Sequence, residues 1–228
     1  NTDRNRTSPM AFTGNKFEFR MLGSAQSISG PNIALNTIMA QELKEFADKL
    51  EKSKNFNADL QKLIKKTFTD HQRIIFNGDG YAKEWVEEAA KRGLPNITNT
   101  IDAASALTTE KAIKLFEKFG IYSRTELESR EEITYETYSK TINIEALTMI
   151  DMAKTQIAPA VASFSADTAK GAQTKRDLDP SVGCAYETEL VKKLSALTDR
   201  IAVKVDELQS AVIELGGADG VIEESAMI

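Results

Sequence analysis

The sequence predicts a mainly α protein: one or two antiparallel β-strands at the N-terminus, then a helical bundle closed by two long helices. Two observations carry this. From Lys16 to Met21 the residues alternate with period two, and from Ile33 onward apolar residues recur at three- and four-residue steps. The length of 228 residues suffices for a substantial core, with 41% hydrophobic and 28% charged residues.

The strand segment comes first. An extended chain places Lys16, Glu18 and Arg20 on one face and Phe17, Phe19 and Met21 on the other, so a carboxylate is flanked by two cations. Upstream, Pro9 and Gly14 predict a turn that folds the segment into a hairpin and brings Asn5 and Arg6 towards the same region. Gly23–Asn32, rich in Gly and Ser, reads as a loop. Leu35, Met39, Leu43, Phe46 and Leu50 then predict an amphipathic helix to about Lys52. Leu60, Leu63, Ile64, Phe68, His71 and Ile75 predict a second, stopped by the NGDG run at Asn77–Gly80.

A short third helix carries Trp85, Val86, Ala89 and Ala90 and closes at Arg92-Gly93, with Pro95 beyond it. A fourth carries Ile113, Leu115, Phe116 and Phe119 and ends at Gly120. Ser123 with Glu126 forms a capping box, which predicts the start of a long helix bearing Leu127, Ile133, Tyr138, Ile142, Ala146, Met149, Ala153 and Ile157. Passage through Pro159 requires a kink. Ser163–Pro180 is small, polar and charged and is expected to be a connection. From Leu190 the positions Leu190, Leu194, Leu197, Ile201, Val205, Leu208, Val212 and Leu215 form a near-heptad seam capped by Gly216-Gly217. Ala218–Ile228 reads as a tail.

Composition excludes several kinds of site. One cysteine, Cys184, and one histidine, His71, rule out a disulfide framework and a Cys/His zinc cluster within this chain. Any bound metal is therefore expected to be held by carboxylate oxygens, which suits Mg2+ or Mn2+. The net charge of −5 argues against nucleic-acid or anionic-membrane partners, but permits a local cationic pocket built from Arg6, Lys16 and Arg20. No signal peptide or long apolar run is present, so a cytoplasmic location is expected.

On pattern alone the Lys16/Glu18/Arg20 face reads as the solvated side of a half-buried sheet. The competing reading makes Glu18 a ligand of a hard cation and uses Arg6, Lys16 and Arg20 to neutralise phosphate or carboxylate. His71, with no second imidazole, reads as structural, Cys184 as inert or buried, and Asp79 in NGDGY as part of a turn. The chain has no Walker loop, nucleophile elbow or dinucleotide fingerprint.

Four stretches carry a resemblance: NRTSPMAFTGNKFEFRM from Asn5, GPN at Gly30–Asn32, NGDGYAKEWVEEAAKRGLPN at Asn77–Asn96 and YSKTINIEALTMIDMAKTQIAPA at Tyr138–Ala160. Together they resemble the C-terminal part of glutamine synthetase in its long, type III form. The resemblance implies a C-terminal piece of an α+β catalytic domain over 1–120 and a helical region forming a long hairpin over 121–228. It implies an ATP-dependent glutamate–ammonia ligase that works through γ-glutamyl phosphate, with Mg2+ or Mn2+ as metal and ATP, glutamate and ammonia as substrates. The remaining partners it implies are the rest of the same polypeptide, upstream of Asn1, and copies of the chain in a large ring-shaped homo-oligomer.

Residue by residue, Arg6 is similar to an arginine contacting ATP phosphate and the transferring group. Glu18 resembles the metal ligand of an E-x-R motif and Arg20 its arginine, which binds substrate or phosphoryl charge. Lys16 is similar to a basic residue on the nucleotide side. One departure stands out: Thr7–Asn15 contains no Arg or Lys where shorter members of the family carry a further arginine. The alternative reading is a noncatalytic helical oligomerisation module.

Overall fold

The computed structural model describes residues 10–12, 16–21, 23, 25–76 and 78–216. It bears out a mainly helical chain that opens on a hairpin. Strands β1 (Met10–Phe12) and β2 (Phe17–Phe19) pair antiparallel, with Met10 opposite Phe19, Ala11 opposite Glu18 and Phe12 opposite Phe17. Helices follow at α1 (Ser29–Leu50), α2 (Phe56–Asp70), α3 (Lys83–Lys91), α4 (Thr100–Ala104), α5 (Glu110–Lys118), α6 (Arg124–Met152), α7 (Ala158–Leu178) and α8 (Ala185–Leu215). Short 3-10 turns lie at Gln72–Ile74 and Ser105–Thr108, and a π-turn at Ala153–Ile157 joins α6 to α7. The chain divides into two compact units, residues 1–127 and 128–228. No helix among the described residues is long and apolar enough to cross a membrane.

In the first unit the core is small and well defined. Ile113, Phe116 and Leu127 are buried together, and Ile33, Ala34, Ala112 and Tyr122 pack around them. The Phe116 and Tyr122 rings meet at 5.5 Å between centroids, tilted by 51°, a geometry that suits the aromatic quadrupoles. Buried Thr37 satisfies its hydroxyl by donating to the Ile33 carbonyl at 2.7 Å, and Lys118 Nζ donates to Gln41 Oε1 at 2.6 Å to tie α5 to α1.

The helix ends follow local chemistry. α3 and α5 both close in full Schellman motifs: Leu94 N–H donates to the Ala89 carbonyl and Gly93 N–H to Ala90, as do Ile121 to Phe116 and Gly120 to Glu117. Gly93 and Gly120 take φ of 68° and 62°, the left-handed region that glycine enters without a Cβ penalty. The capping box at α6 forms as expected, with Ser123 N–H on Glu126 Oε2 at 2.7 Å and Glu126 N–H on Ser123 Oγ at 3.3 Å. Asn55, Asn99 and Thr109 cap α2, α4 and α5 through their side chains.

The second unit corrects the sequence reading at one important place. Ser163–Pro180 is largely helix: α7 occupies Ala158–Leu178. Pro159 sits in its first turn, where the missing N–H costs nothing, and the π-turn before it accommodates the change of register. α7 and α8 pack along their length, and the less exposed positions of α7 are Ala158, Val161, Ser165, Thr168 and Ala172. Those of α8 are Glu187, Thr188 and Leu190 and then, in a regular run, Val191, Leu194, Thr198, Ile201, Val205, Leu208, Val212 and Leu215. The α7 set and the α8 run from Val191 step by three and four, the knobs-into-holes spacing, with mostly small residues on α7 and larger ones on α8. Thr198 takes the seam position expected of Leu197, which is 40% exposed; its hydroxyl donates to the Leu194 carbonyl at 2.8 Å, so the polar group is satisfied within the helix.

Other expected apolar faces are only partly covered. Met39 and Leu43 of α1, Ile64 and Phe68 of α2, and Ile133 and Met149 of α6 are exposed, whereas Tyr135, Ser139 and Ala153 are buried. α1 begins at Ser29, ahead of Pro31. His71 terminates α2 and is exposed, rather than lying on an apolar face. Cys184 is buried as expected, with Sγ 3.4 Å from the Ala172 carbonyl. The expected Gly217 cap and the tail from Ala218 lie outside the described residues.

Two substitutions test this framework by chemical unfolding of the chain. Leu127→Ala, which opens a cavity at a fully buried site, is expected to cost about 3 kcal/mol. Gly120→Ala, which forces a Cβ into positive φ, is expected to cost about 1 kcal/mol.

Candidate functional site

The alternation that predicts the strand also builds its charged cluster. Lys16, Glu18 and Arg20 project from one side of β2 and its flanks, and the chain brings all three together. Arg20 donates to Glu18 Oε2 at 2.6 Å, and Lys16 Nζ lies 3.3 Å from Glu18 Oε1. Each carboxylate oxygen thus faces its own cation. The Arg20 guanidinium first, and Lys16 second, hold the Glu18 carboxyl below the ordinary glutamate value, because both favour its charged form.

The opposite face carries Phe17, Phe19 and Met21, and all three are exposed, Phe17 to 66%. Both faces of β2 are therefore open among the described residues. Arg6 lies outside the described residues, as do the expected turn residues Pro9 and Gly14.

The donor set is short of a metal site. No group of three or more His, Cys, Asp or Glu side chains converges among the described residues. Glu18 offers one carboxylate with both oxygens engaged by cations. Hard divalent cations collect about six oxygens, commonly one or two carboxylates completed by water and phosphate. Glu18 fits as one member of such a set and not as a site by itself.

Elsewhere, Asp79 behaves as a turn residue, its Oδ1 accepting from Tyr81 N–H at 2.9 Å. The sequence reading missed a cluster around the single tryptophan. Phe76 stacks on Trp85 with centroids 3.9 Å apart and planes 19° from parallel. The Arg92 guanidinium lies 5.4 Å from the Trp85 ring centroid, within cation–π range. A Cβ at Gly78 would stand 2.7 Å from Phe76 Cζ, so this glycine permits the ring to lie where it stacks. Only the Glu88–Arg92 spacing of four residues could have signalled any of this in sequence. Arg73 reaches the cluster from 19 residues away.

With the geometry in place, comparison with known proteins gives the class. Residues 59–176 match the family described as glutamine synthetase C-terminal domain. The chain belongs to that family. Among its relatives is a protein of Dictyostelium discoideum named type-3 glutamine synthetase, 47% identical over 162 residues, covering 70% of this chain and 22% of that protein. A glutamine synthetase of Butyrivibrio fibrisolvens is 39% identical over 199 residues, covering 85% and 28%. One of Bacteroides fragilis (strain YCH46) is 34% identical over 218 residues, covering 92% and 30%. The resemblance to the type III form is thereby borne out, and the chain spans between about a fifth and a third of the length of these relatives.

The Glu18 pairing is checked by NMR titration of its carboxyl. The midpoint is expected below the ordinary glutamate value and should move up in Arg20→Gln. Because the folded state favours the ionised form, the stabilisation is present above the ordinary carboxylate range and is lost as pH falls through the lowered value.

Proposed function

We propose that the chain supplies one wall of the active site of an ATP-dependent glutamate–ammonia ligase, the rest coming from other parts of a longer polypeptide. The observation that carries this reading is Glu18 held between Lys16 and Arg20 on one strand face, inside a chain of glutamine synthetase family membership. In this reading residues 1–120 belong to the catalytic domain, and 121–228 form a helical region serving support and assembly in a cytoplasmic ring of copies.

The chemistry needs charge management more than a protein nucleophile. Transfer of the ATP γ-phosphoryl group to the γ-carboxylate of glutamate brings two anions together, releasing ADP and forming an acyl phosphate. Ammonia then attacks the acyl carbon and phosphate leaves, giving glutamine. Fixed cations lower the repulsion in the first step and stabilise the leaving phosphate in the second. Arg6 and Lys16 are assigned to the nucleotide phosphates and Arg20 to glutamate and the transferring group, where a planar fork matches two oxygens. Glu18 is assigned as one carboxylate ligand of Mg2+ or Mn2+, which, when bound, supplies Lewis-acid neutralisation of phosphate charge.

A purely structural role for the hairpin makes the opposite prediction, so substitution in the full-length enzyme separates the two. Glu18→Ala is expected to reduce metal-dependent γ-glutamyl transfer by at least about 100-fold, and Arg20→Lys by about tenfold or more, since a point charge replaces a fork. Unchanged transfer in Glu18→Ala would sink the assignment. The 228-residue chain alone is expected to have no transfer activity.

A further inference from the structure

The hairpin is not the only place where positive charge gathers. A shallow, largely open cleft between the 3-10 turn after α2 and the end of α3 is lined by Gln72, Arg73, Ile75 and Arg92. Arg92 is fixed within it. Its Nε donates to Glu88 Oε1 at 2.8 Å and its Nη1 to the carbonyls of Ile75 at 3.0 Å and Arg73 at 3.4 Å, while its face lies over Trp85. Three of the five guanidinium N–H groups are thus assigned, and the Nη2 pair has no partner among the described residues.

Arg73 differs. Its guanidinium makes no ion pair or hydrogen bond among the described residues, and a Cβ placed on Gly93 would stand 3.7 Å from its Nη1. That puts the second guanidinium beside the residue that follows Arg92. Two like charges therefore share one cleft, and Glu88, the one carboxylate bonded there, is already engaged by Arg92 Nε. The carbonyl end of α3, which would repel an anion, has its Ala89 and Ala90 oxygens occupied by the Leu94 and Gly93 amides.

We propose that the cleft formed by Gln72, Arg73 and Arg92 binds a small oxyanion with two or more acidic oxygens, phosphoryl or carboxyl, bridged between the two guanidinium groups. Arg92 is the preorganised half of the clamp, because its stack and carbonyl bonds fix its plane before binding. Arg73 is the mobile half, which closes on the ligand. Two cations in a chain of net charge −5 suit a small anion, not a nucleic-acid backbone. The site is independent of the hairpin, and its test reads no catalysis.

Trp85 is the chain's single tryptophan and forms the floor under Arg92, so intrinsic fluorescence reports on the cleft. The 228-residue chain is titrated with inorganic pyrophosphate and with citrate at low ionic strength, each against sodium chloride of matched ionic strength. The expected result is a saturable change absent with chloride, weakened about tenfold or more in Arg73→Gln and less in Arg73→Lys, where charge survives without the fork. Arg200→Gln, on an exposed part of α8, is expected to bind as the parent does. The tighter of the two anions identifies the source as phosphoryl or carboxyl. Side-chain 15N resonances give a readout without any variant: those of Arg73 and Arg92 should shift and that of Arg200 should not. A linear response, an equal effect of chloride, wild-type affinity in Arg73→Gln, or stationary Arg73 and Arg92 resonances would each overturn the proposal.

Discussion

The short turn between α5 and α6 is the constraint on which most of the fold depends. Within four residues, Gly120 closes one helix in a left-handed conformation and Ser123 opens the next through a reciprocal capping box. Between them Tyr122 reaches the Phe116 ring, and Leu127, one turn into α6, completes the buried trio with Ile113 and Phe116. Termination, initiation and core formation are thus one event. Were the turn to open, the carbonyl end of α5 and the amide end of α6 would lose their partners together with the contact that anchors the first unit. Arg124, which donates to Glu110 at 2.6 Å and whose amide meets Glu117, adds a polar bracket around the same corner.

What was legible in the sequence follows from how local each cause is. Gly93, Gly120 and the Ser123–Glu126 pair act over a few residues, so their helix ends could be read directly. The period-two charges of Lys16, Glu18 and Arg20 are equally local, and the three side chains do meet. α7 was misread because its seam is made of Ala158, Val161, Ser165, Thr168 and Ala172, residues too small and too polar to register as an amphipathic stripe. Their role appears only when α8 supplies the bulk. The same logic explains Thr198: hydroxyl satisfaction inside the helix makes it tolerable in a seam where hydrophobicity alone would place Leu197. The Arg73, Trp85 and Arg92 cluster was invisible because a helix break and a 3-10 turn bring its parts together.

The hairpin shows what electrostatics does on a strand whose apolar face is exposed among the described residues. Glu18 is neutralised by two cations, one on each carboxylate oxygen. An isolated strand gains little from such pairs, since water screens exposed ion pairs. The arrangement is therefore weakly justified as a stabilising device, and the exposed Phe17, Phe19 and Met21 on the reverse face are costly for a finished surface. Both features are resolved if the hairpin is the edge of a larger sheet. Covering the aromatic face would remove water from one side of β2, and the same burial would strengthen each charge interaction on the other by lowering the local dielectric.

That dependence also separates the two cationic sites physically. At the hairpin the carboxylate lies between the cations, so an incoming anion must compete with Glu18 unless another positive charge draws the carboxylate away. In the Arg73/Arg92 cleft Glu88 is engaged on the Nε edge of Arg92, and the Nη2 pair has no partner among the described residues. An anion bound there, as proposed, would displace water and not a protein carboxylate. In the proposed reading the hairpin needs further groups to become a site, whereas the cleft is lined by groups within one unit of this chain.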